Sequence, residues 1–356
     1  MERRRGGGKP LSRYLRCCAV NIAIYAIAKD EACHAERFVR STAGANSVIV
    51  CDTGSSDGTQ NILQQHGAIV HDIVVSPWRF DLARNMALLH VPEDVDVCVS
   101  LDLDEVLLPG WRETIEQAWQ PGTTILRYPF IHNWEDRDQT IPRVSVWGFK
   151  VHHRHCYCWQ HPMHETLELR TDSPLPEKVV MIDREIARHY PDPDKRERRD
   201  RIALLEQAAR DNPVDQRMAH LYGRELWFHG RYAEAIEELK RHLSVCQEYP
   251  DPVTDAEGIA QTRSTSCRLI ARGLMAMRGS PDEILVWLLR AVGESPSQRE
   301  PWAALAEAWL TVGDHQSAYA AAQRALAITD RRRSQEIEEW AWGPRLSEIL
   351  AKLSRP

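Results

Sequence analysis

The chain has 356 residues, 43% of them hydrophobic and 27% charged, a composition that fits one large or two ordinary globular domains. Its formal net charge of −6 gives no electrostatic reason to expect nucleic-acid binding or an anionic membrane surface. Its nine cysteines are irregularly spaced, which argues against a disulfide framework and favours a reducing, cytoplasmic location.

The chain opens with a basic stretch, residues 1–18, which we expect to form a mobile tail. The apolar run AVNIAIYAIA at 19–28 could belong to a secretory signal, but the following AIAKDE offers no convincing cleavage site. We therefore interpret the run as a first buried strand. No stretch approaches the roughly 20 apolar residues of a membrane-spanning helix, so we expect no membrane span.

Between residue 19 and about residue 110, runs typical of strands alternate with patterns typical of helices. The predicted strands lie at 19–28, 47–52, 68–75 and 94–102, and the predicted helices lie at 31–44, 59–67 and 80–91. Strands separated by helices form βαβ units, so we expect an α/β fold with a mostly parallel sheet. Such sheets bind ligands beyond the carboxyl ends of their strands.

Polar and acidic residues follow three of these strands at that end. They are Lys29-Asp30-Glu31, the segment from Asp52 to Asp57, and Asp102-Leu103-Asp104-Glu105. Neighbouring carboxylates repel one another unless water or a cation compensates their charge. Carboxylate oxygens suit Mg²⁺ or Mn²⁺, which bind one or two carboxylates together with substrate phosphates. A single D-x-D is a weak signal that solvated strand ends also produce, but the threefold coincidence favours a cation site.

The next region, residues 123–190, is rich in aromatic residues and histidine, and we expect strands and loops that close over the sheet edge. A charged, proline-containing stretch then reads as a hinge, so we place the first domain at 19–200 and a helical domain at 201–356. Three apolar helix–turn–helix patterns follow, with 34 residues between Gly279 and Gly313. This period resembles the tetratricopeptide repeat; an ordinary helical bundle is the alternative.

Four motifs in residues 21–110 occur in the order AIAKDE, VIVCDTGSSDGT, WRFDLARN and SLDLDEVL. Together they resemble the family 2 glycosyltransferases of the GT-A fold, over roughly the first 190 residues. With the downstream repeats, the chain is similar to the branch of that family that carries C-terminal tetratricopeptide repeats. Two positions depart from the family pattern, because Thr53 replaces a second aspartate and Asp30 replaces an asparagine.

The resemblance implies a site for a nucleotide sugar. Its expected nucleotide-sugar contacts are Ala28, Asp52, Asp57, Arg84, Asp102 and Leu103. Within this set Asp52 would contact the nucleoside, and Asp102 would lie nearer the ribose and phosphates. Arginine pairs well with diphosphate oxygens, although Arg84 could equally form a surface ion pair.

The same resemblance assigns Asp104 as the ligand of a Mg²⁺ or Mn²⁺ cofactor. His164, in the H-E pair of this branch, and His189, in its H-x-P, are further expected metal ligands; His189 could instead simply begin a basic hinge. An acceptor must lose a proton to a base opposite the leaving group. Glu165 and Asp136 are our candidates for this base, and Glu135 and Asp138 are rivals.

The segment 152–164 also invites a zinc interpretation, because it holds five histidines and two cysteines. Its spacing matches structural zinc sites only in part, and we favour histidines scattered along strands and loops.

These observations favour a metal-dependent, inverting glycosyltransferase that moves a hexose from a nucleotide-diphosphate sugar, most simply a UDP-sugar. The acceptor could be a peptide or protein side chain, and the repeats would hold that acceptor or mediate a homodimer. The alternative is a non-catalytic tetratricopeptide binding module with a degenerate glycosyltransferase domain. A nucleotidyltransferase is less favoured, because GGGK at 6–9 precedes the first strand and is too early for a phosphate loop.

Overall fold

The computed structural model describes residues 20–192, 201–249, 256–330 and 338–353. The chain divides into two units, Met1–Glu197 and Arg198–Pro356. In the described residues the first unit is mixed α/β and the second is helical, which confirms the expected alternation of strands and helices followed by a helical region. The expected tail at 1–18 and the hinge residues 193–200 lie outside the described residues.

The first unit contains eleven strands and four helices in its described part. The strands are β1 (Ile22–Ala28), β2 (Ser47–Asp52), β3 (Ile69–Asp72), β4 (Val97–Ser100), β5 (Glu105–Leu107), β6 (Ile125–Trp134), β7 (Pro142–His153), β8 (Tyr157–Gln160), β9 (Thr166–Leu169), β10 (Val179–Met181) and β11 (Ala187–His189). The helices are α1 (Ala32–Ser41), α2 (Thr59–Gln65), α3 (Phe80–Leu89) and α4 (Trp111–Ala118). The four strands and three helices predicted before residue 110 all form; β2 has the predicted bounds and the others are shorter.

Nine described strands form one sheet, in the order β3-β2-β1-β4-β7-β6-β11-β5, with β10 also paired to β6. β1 pairs in parallel with β2 and β4, and β2 pairs in parallel with β3. β7 is antiparallel to β4 and to β6, and β11 is antiparallel to β5. The sheet is therefore mixed, because residues 123–190 add antiparallel strands to the parallel βαβ portion.

The central strand β1 shows why this sheet is covered on both faces. Successive side chains of a strand point to opposite faces. Ile22 and Ile24 belong to one buried apolar cluster, whereas Ala23 and Tyr25 belong to another. A parallel strand with two covered faces is a continuous apolar run, and this is the pattern that marks β1 in the sequence.

The register of the sheet brings distant segments to one edge. Ala28, at the end of β1, lies opposite Asp52, at the end of β2. On the other side of β4, Val151 pairs with Val99, so the preceding residue of β7 reaches the end of β4. His189 of β11 lies opposite Glu105 of β5. Residues far apart in sequence thus meet where the parallel strands end.

The second unit consists of helices that pack as hairpins. They are α5 (Arg201–Asp211), α6 (Gln216–Phe228), α7 (Tyr232–Glu248), α8 (Ala256–Ala276), α9 (Pro281–Glu294), α10 (Arg299–Val312), α11 (His315–Ala327) and α12 (Arg345–Leu353), with a 3₁₀ helix at Glu339–Trp342. Gly230, Gly279 and Gly313 fall in the turns α6–α7, α8–α9 and α10–α11, the three hairpins that the sequence predicts. Gly313 has φ +84°, a left-handed conformation that glycine adopts without a steric cost.

Candidate active site

The loop after β2 is organised around Asp52, which is fully buried. Its Oδ1 accepts hydrogen bonds from the backbone N–H of Gly54 at 2.8 Å, from that of Ser55 at 2.7 Å and from Gln60 Nε2 at 2.9 Å. Burial raises the pKa of this carboxyl, but the hydrogen bonds from Ser55 and Gln60 outweigh it and lower the pKa. Asp52 is therefore an ionised anchor of its own loop, and its contact with a nucleoside stays a prediction.

The same loop is tied to the segment after β1. Asp57 Oδ2 accepts a hydrogen bond from the backbone N–H of Ala32 at 2.9 Å. Thr53 donates to the carbonyl of Ala28 through its N–H at 2.9 Å and its Oγ1 at 3.0 Å. Thr53 thus has a clear local role at the position where the family pattern has a second aspartate. The two loops form one preorganised rim at the carboxyl ends of β1 and β2.

Beside this rim lies a row of alternating charges, which we call the charge chain: Glu165, Arg84, Asp102, Lys150 and Glu105. Arg84 of α3 donates from Nε to Glu165 Oε1 at 2.6 Å and from Nη2 to Asp102 Oδ1 at 2.7 Å. Lys150 Nζ of β7 donates to Asp102 Oδ2 at 2.9 Å and to Glu105 Oε1 at 2.6 Å. Both oxygens of Asp102 are therefore held by cations.

The pKa values in the charge chain follow from burial and from these contacts. Burial raises the pKa of Asp102, but the Arg84 and Lys150 charges hold it well below its usual range. Burial raises the pKa of Glu105 and dominates there despite the opposing effect of Lys150. Burial lowers the pKa of Lys150, but Asp102 and Glu105 more than reverse this, so the ammonium stays charged.

Two further residues converge on the second aspartate of the D-x-D. Asp104 Oδ2 lies 3.2 Å from His189 Nε2. His189 is oriented by its other ring nitrogen, Nδ1, which lies 2.9 Å from the carbonyl oxygen of His132. The backbone N–H of Tyr190 also donates to the carbonyl of Asp104 at 2.7 Å. The expected metal ligands Asp104 and His189 therefore face each other across β5 and β11.

A carboxylate and an imidazole face each other in this pair, and both are groups that can bind a divalent cation. A ligating histidine usually donates its other N–H to a carbonyl, which leaves the facing nitrogen directed at the metal, and His189 has this arrangement. Without a cation, burial lowers the pKa of His189, but the hydrogen bond and charge of Asp104 raise it to about 9. A carboxylate and an imidazole fit Mn²⁺ or Mg²⁺ when phosphates and water supply the remaining ligands.

The third expected metal ligand, His164, is not brought into that pair. It lies in the loop between β8 and β9 with φ +53°. Among the residues that the structure describes, no three His, Cys, Asp or Glu side chains are grouped so that they could hold a metal. Asp104 and His189 are the two expected ligands that face each other, and His164 stays a predicted further ligand.

The segment 152–164 likewise contains no metal group in its described residues. His152 Nε2 shares a 2.9 Å hydrogen bond with Tyr25 Oη, and the Cys156 Sγ lies 3.3 Å from His153 Nδ1. These side chains form polar contacts within the core, and burial lowers the pKa of His152 to about 3 and that of His153 to about 4.

The two candidate bases have different surroundings. Asp136 lies in the turn between β6 and β7, where its carboxylate accepts from the N–H of Ile141 at 2.7 Å and from Thr140 Oγ1 at 2.7 Å. Glu165 is joined to the charge chain through Arg84. Glu165 is therefore the better placed of the two bases.

Leu103, another expected site residue, lies between the two aspartates in sequence and is buried in the apolar core.

Lys150 is a residue of the charge chain that the sequence analysis does not identify. It is a single lysine in the long strand VSVWGFKVHH, between apolar neighbours. A lysine is rarely placed in a covered strand without an acidic partner. This pattern was the available signal, but it does not identify the partner carboxylates.

Fold and site together define a mixed α/β unit with a charged edge beyond its parallel strands, followed by a helical unit. No family model matches the chain, and no curated protein matches it. Among solved structures, the chain is similar to MamA MSR-1 C2, with 20% identity, TM-score 0.28, and coverage of 36% of this chain and 66% of that one.

Two other solved structures are similar at the same level. Pseudomonas aeruginosa pilF has 15% identity and TM-score 0.32, over 42% of this chain and 63% of that one. Glucosyl-3-phosphoglycerate synthase from Mycobacterium tuberculosis, in complex with Mn²⁺, UDP and glucosyl-3-phosphoglycerate, has 20% identity and TM-score 0.27, over 31% of this chain and 44% of that one. The chain thus spans less than half of that synthase. Similarity at this level does not assign a function to the chain.

Proposed function

We propose that the chain is a metal-dependent glycosyltransferase of the GT-A type that transfers a hexose from a UDP-sugar to an acceptor hydroxyl or thiol. The observation that carries the proposal is the Asp104–His189 pair, 3.2 Å apart at the edge where the parallel strands end. Ligands of such sheets bind beyond that edge. In the charge chain beside the pair, Arg84 Nη1 is a buried donor without a hydrogen-bond partner among the described residues.

The residues of the site have separate tasks in this proposal. Asp104 and His189 would hold a divalent cation, which supplies electrostatic stabilisation of the diphosphate leaving group. The rim built on Ala28, Asp52 and Asp57 positions the nucleoside. Glu165 accepts the proton of the attacking acceptor, and one base on the face opposite the leaving group gives inversion at the sugar carbon.

Arg84 links these tasks, because it contacts both the proposed base and the D-x-D. Its side chain packs over the Trp159 ring with 5.0 Å between the guanidinium carbon and the ring centroid. Asn85, the next residue, shares hydrogen bonds of 2.8 and 2.9 Å with the Trp159 backbone, which fixes α3 against β8. The guanidinium is thus held in one orientation before any ligand arrives.

The helical hairpins form the second part of the proposal. We assign them as tetratricopeptide repeats that hold a peptide or protein acceptor or join two copies of the chain, since stacked hairpins form extended binding surfaces. Seven cysteines of the described residues are all free thiols, which supports the cytoplasmic location proposed from their spacing. No helix among the described residues is long and apolar enough to cross a bilayer.

The alternative is a non-catalytic binding module whose first unit has lost its activity. It is favoured by one observation, the full use of Asp52 within its own loop. Thermal shift with a panel of UDP-sugars and Mn²⁺ separates the two, because a ligand that binds the native state raises its melting temperature. We expect a shift that Asp104→Asn and His189→Ala abolish. A chain that shows neither a shift nor sugar transfer would support the binding module.

A further inference from the structure

Lys150 occupies a position that its strand alone does not explain. It precedes Val151, which pairs with Val99 of β4, and its side chain is 17% exposed. Its Nζ lies between Asp102 Oδ2, at 2.9 Å, and Glu105 Oε1, at 2.6 Å. The ammonium therefore contacts Asp102 and Glu105, which flank Asp104 in sequence. Asp104 itself contacts His189.

The DLDE segment carries three carboxylates within four residues, Asp102, Asp104 and Glu105. Carboxylates are the charged oxygen ligands of hard cations, and a cation gains affinity with each carboxylate that it binds. In this structure Asp102 has both oxygens in ion pairs, and Glu105 has one oxygen on Lys150 and the other on the backbone N–H of Asp102 at 3.0 Å. Both are thus occupied before a cation arrives.

Arg84 gives an independent sign that an anion approaches this place. It is 5% exposed, and its Nη1 is buried without a hydrogen-bond partner among the described residues. A buried donor left without a partner is costly, so such groups normally have one. A phosphate oxygen at this edge would be a suitable acceptor.

We propose that Lys150 is a positioning residue that withholds Asp102 and Glu105 from the cation, so that the ion is bound weakly by Asp104 and His189 until nucleotide phosphates complete its coordination. This inference rests on the proposed function and adds an order of binding to it. With Asp102 and Glu105 held by Lys150, Asp104 and His189 alone would hold a cation weakly, and its binding would depend on the phosphates of the nucleotide.

The direct test is Mn²⁺ binding to the full chain without nucleotide, measured from the free-ion signal in electron paramagnetic resonance. Lys150→Met removes a positive charge and frees one oxygen of Asp102 and one of Glu105, and we expect it to bind Mn²⁺ about tenfold more tightly than the parent. Lys150→Arg retains the charge and should bind Mn²⁺ as the parent does. Equal or weaker Mn²⁺ binding by a folded Lys150→Met chain would overturn the inference.

Lys150→Met leaves two buried carboxylates uncompensated and could fail to fold. A second pair of variants, Asp102→Asn and Asp104→Asn, tests the inference in that case. Asp102→Asn should lose much less Mn²⁺ affinity than Asp104→Asn, because Lys150 already keeps Asp102 from the ion. Equal losses in the two variants would show that Asp102 is a ligand and that Lys150 withholds nothing.

Addition of UDP separates the inference from the function on which it rests. In the parent chain UDP should tighten Mn²⁺ binding, and in Lys150→Met that gain should shrink. If UDP changes Mn²⁺ binding in no variant, the nucleotide-sugar function fails, whereas the difference between Lys150→Met and Lys150→Arg still decides whether the lysine withholds carboxylates.

Discussion

At the scale of single residues, Arg84 connects the most groups in the candidate site. It is almost fully buried and forms ion pairs with Asp102 and Glu165 at 2.7 and 2.6 Å. Removing one partner from a buried ion pair leaves an uncompensated charge, which is far more damaging than losing an exposed pair. Arg84 is therefore needed for the fold as well as for the site.

We predict that Arg84→Met lowers the free energy of unfolding by about 3–5 kcal/mol. The matched control is Arg40→Met, because Arg40 pairs with Glu36 at 2.5 Å but the two side chains are 71% and 52% exposed. The control should change stability by less than about 1 kcal/mol. Urea denaturation of both variants measures the difference, and similar losses would mean that the charge chain contributes little to the fold.

Only part of the site could be predicted from single residues. Asp104 and His189 were expected as ligands because their motifs are local, D-x-D and H-x-P. The partners of Lys150 were not predictable, because they depend on the register between β7 and β4, which is set by backbone hydrogen bonds and leaves no trace in a local pattern. His164, in the loop between β8 and β9, stays a predicted further ligand.

At the scale of elements, the contact between α6 and α7 depends on Gly223. A Cβ at this position would lie 2.7 Å from Leu239 Cγ and 3.2 Å from the backbone nitrogen of Leu239. Leu239 is fully buried, so it has no room to move away. The glycine therefore permits the close approach of the two helices.

Gly223→Ala should destabilise the helical unit by about 1–3 kcal/mol, because overpacking outweighs the better helix propensity of alanine. Gly293→Ala is the control, since a Cβ there meets nothing within 4 Å. That change should be neutral or stabilise by up to about 1 kcal/mol. Thermal unfolding followed by circular dichroism checks both, and a neutral Gly223→Ala would show that the helices are not in such close contact.

The elements that could be predicted are those with a clear hydrophobic pattern in the sequence. The strands β1, β2, β3 and β4 are marked by short apolar runs and the hairpins at Gly230, Gly279 and Gly313 by the helical period, and the sequence predicts all of them. The strands between residues 123 and 190 were expected only in outline. β6 and β7 are long antiparallel strands with register shifts after Leu126 and Ile131, and such irregularities break the simple alternation on which a strand is recognised.

At the scale of the whole molecule, the stability of both units depends on buried neutral histidines. Burial lowers the pKa of His152 to about 3, that of His153 to about 4, and that of His242, in α7, to about 2. The unfolded chain binds protons at these positions below about pH 6.5, whereas the folded chain does not. Stability is therefore fully present above that pH and falls as the pH decreases.

We predict that the melting temperature falls steadily between pH 6.5 and pH 5. The free energy of unfolding should decrease by up to about 1.4 kcal/mol per pH unit for each of these histidines. His189 does not oppose this change, because its raised pKa of about 9 makes its contribution constant below pH 6.5. Scanning calorimetry at several pH values measures it, with the transitions of the two units treated separately. A melting temperature that rises on acidification would contradict the buried neutral state.

The central claim is that Asp104 and His189 together bind the divalent cation of a nucleotide-sugar site. Anomalous diffraction from crystals grown with Mn²⁺ and UDP tests this claim most directly. The result we predict is a manganese peak coordinated by Asp104 Oδ2, His189 Nε2 and the diphosphate, with Asp102 still on Lys150 and Arg84. Bound UDP with manganese elsewhere, or with Asp104 and His189 still paired to each other, would contradict it.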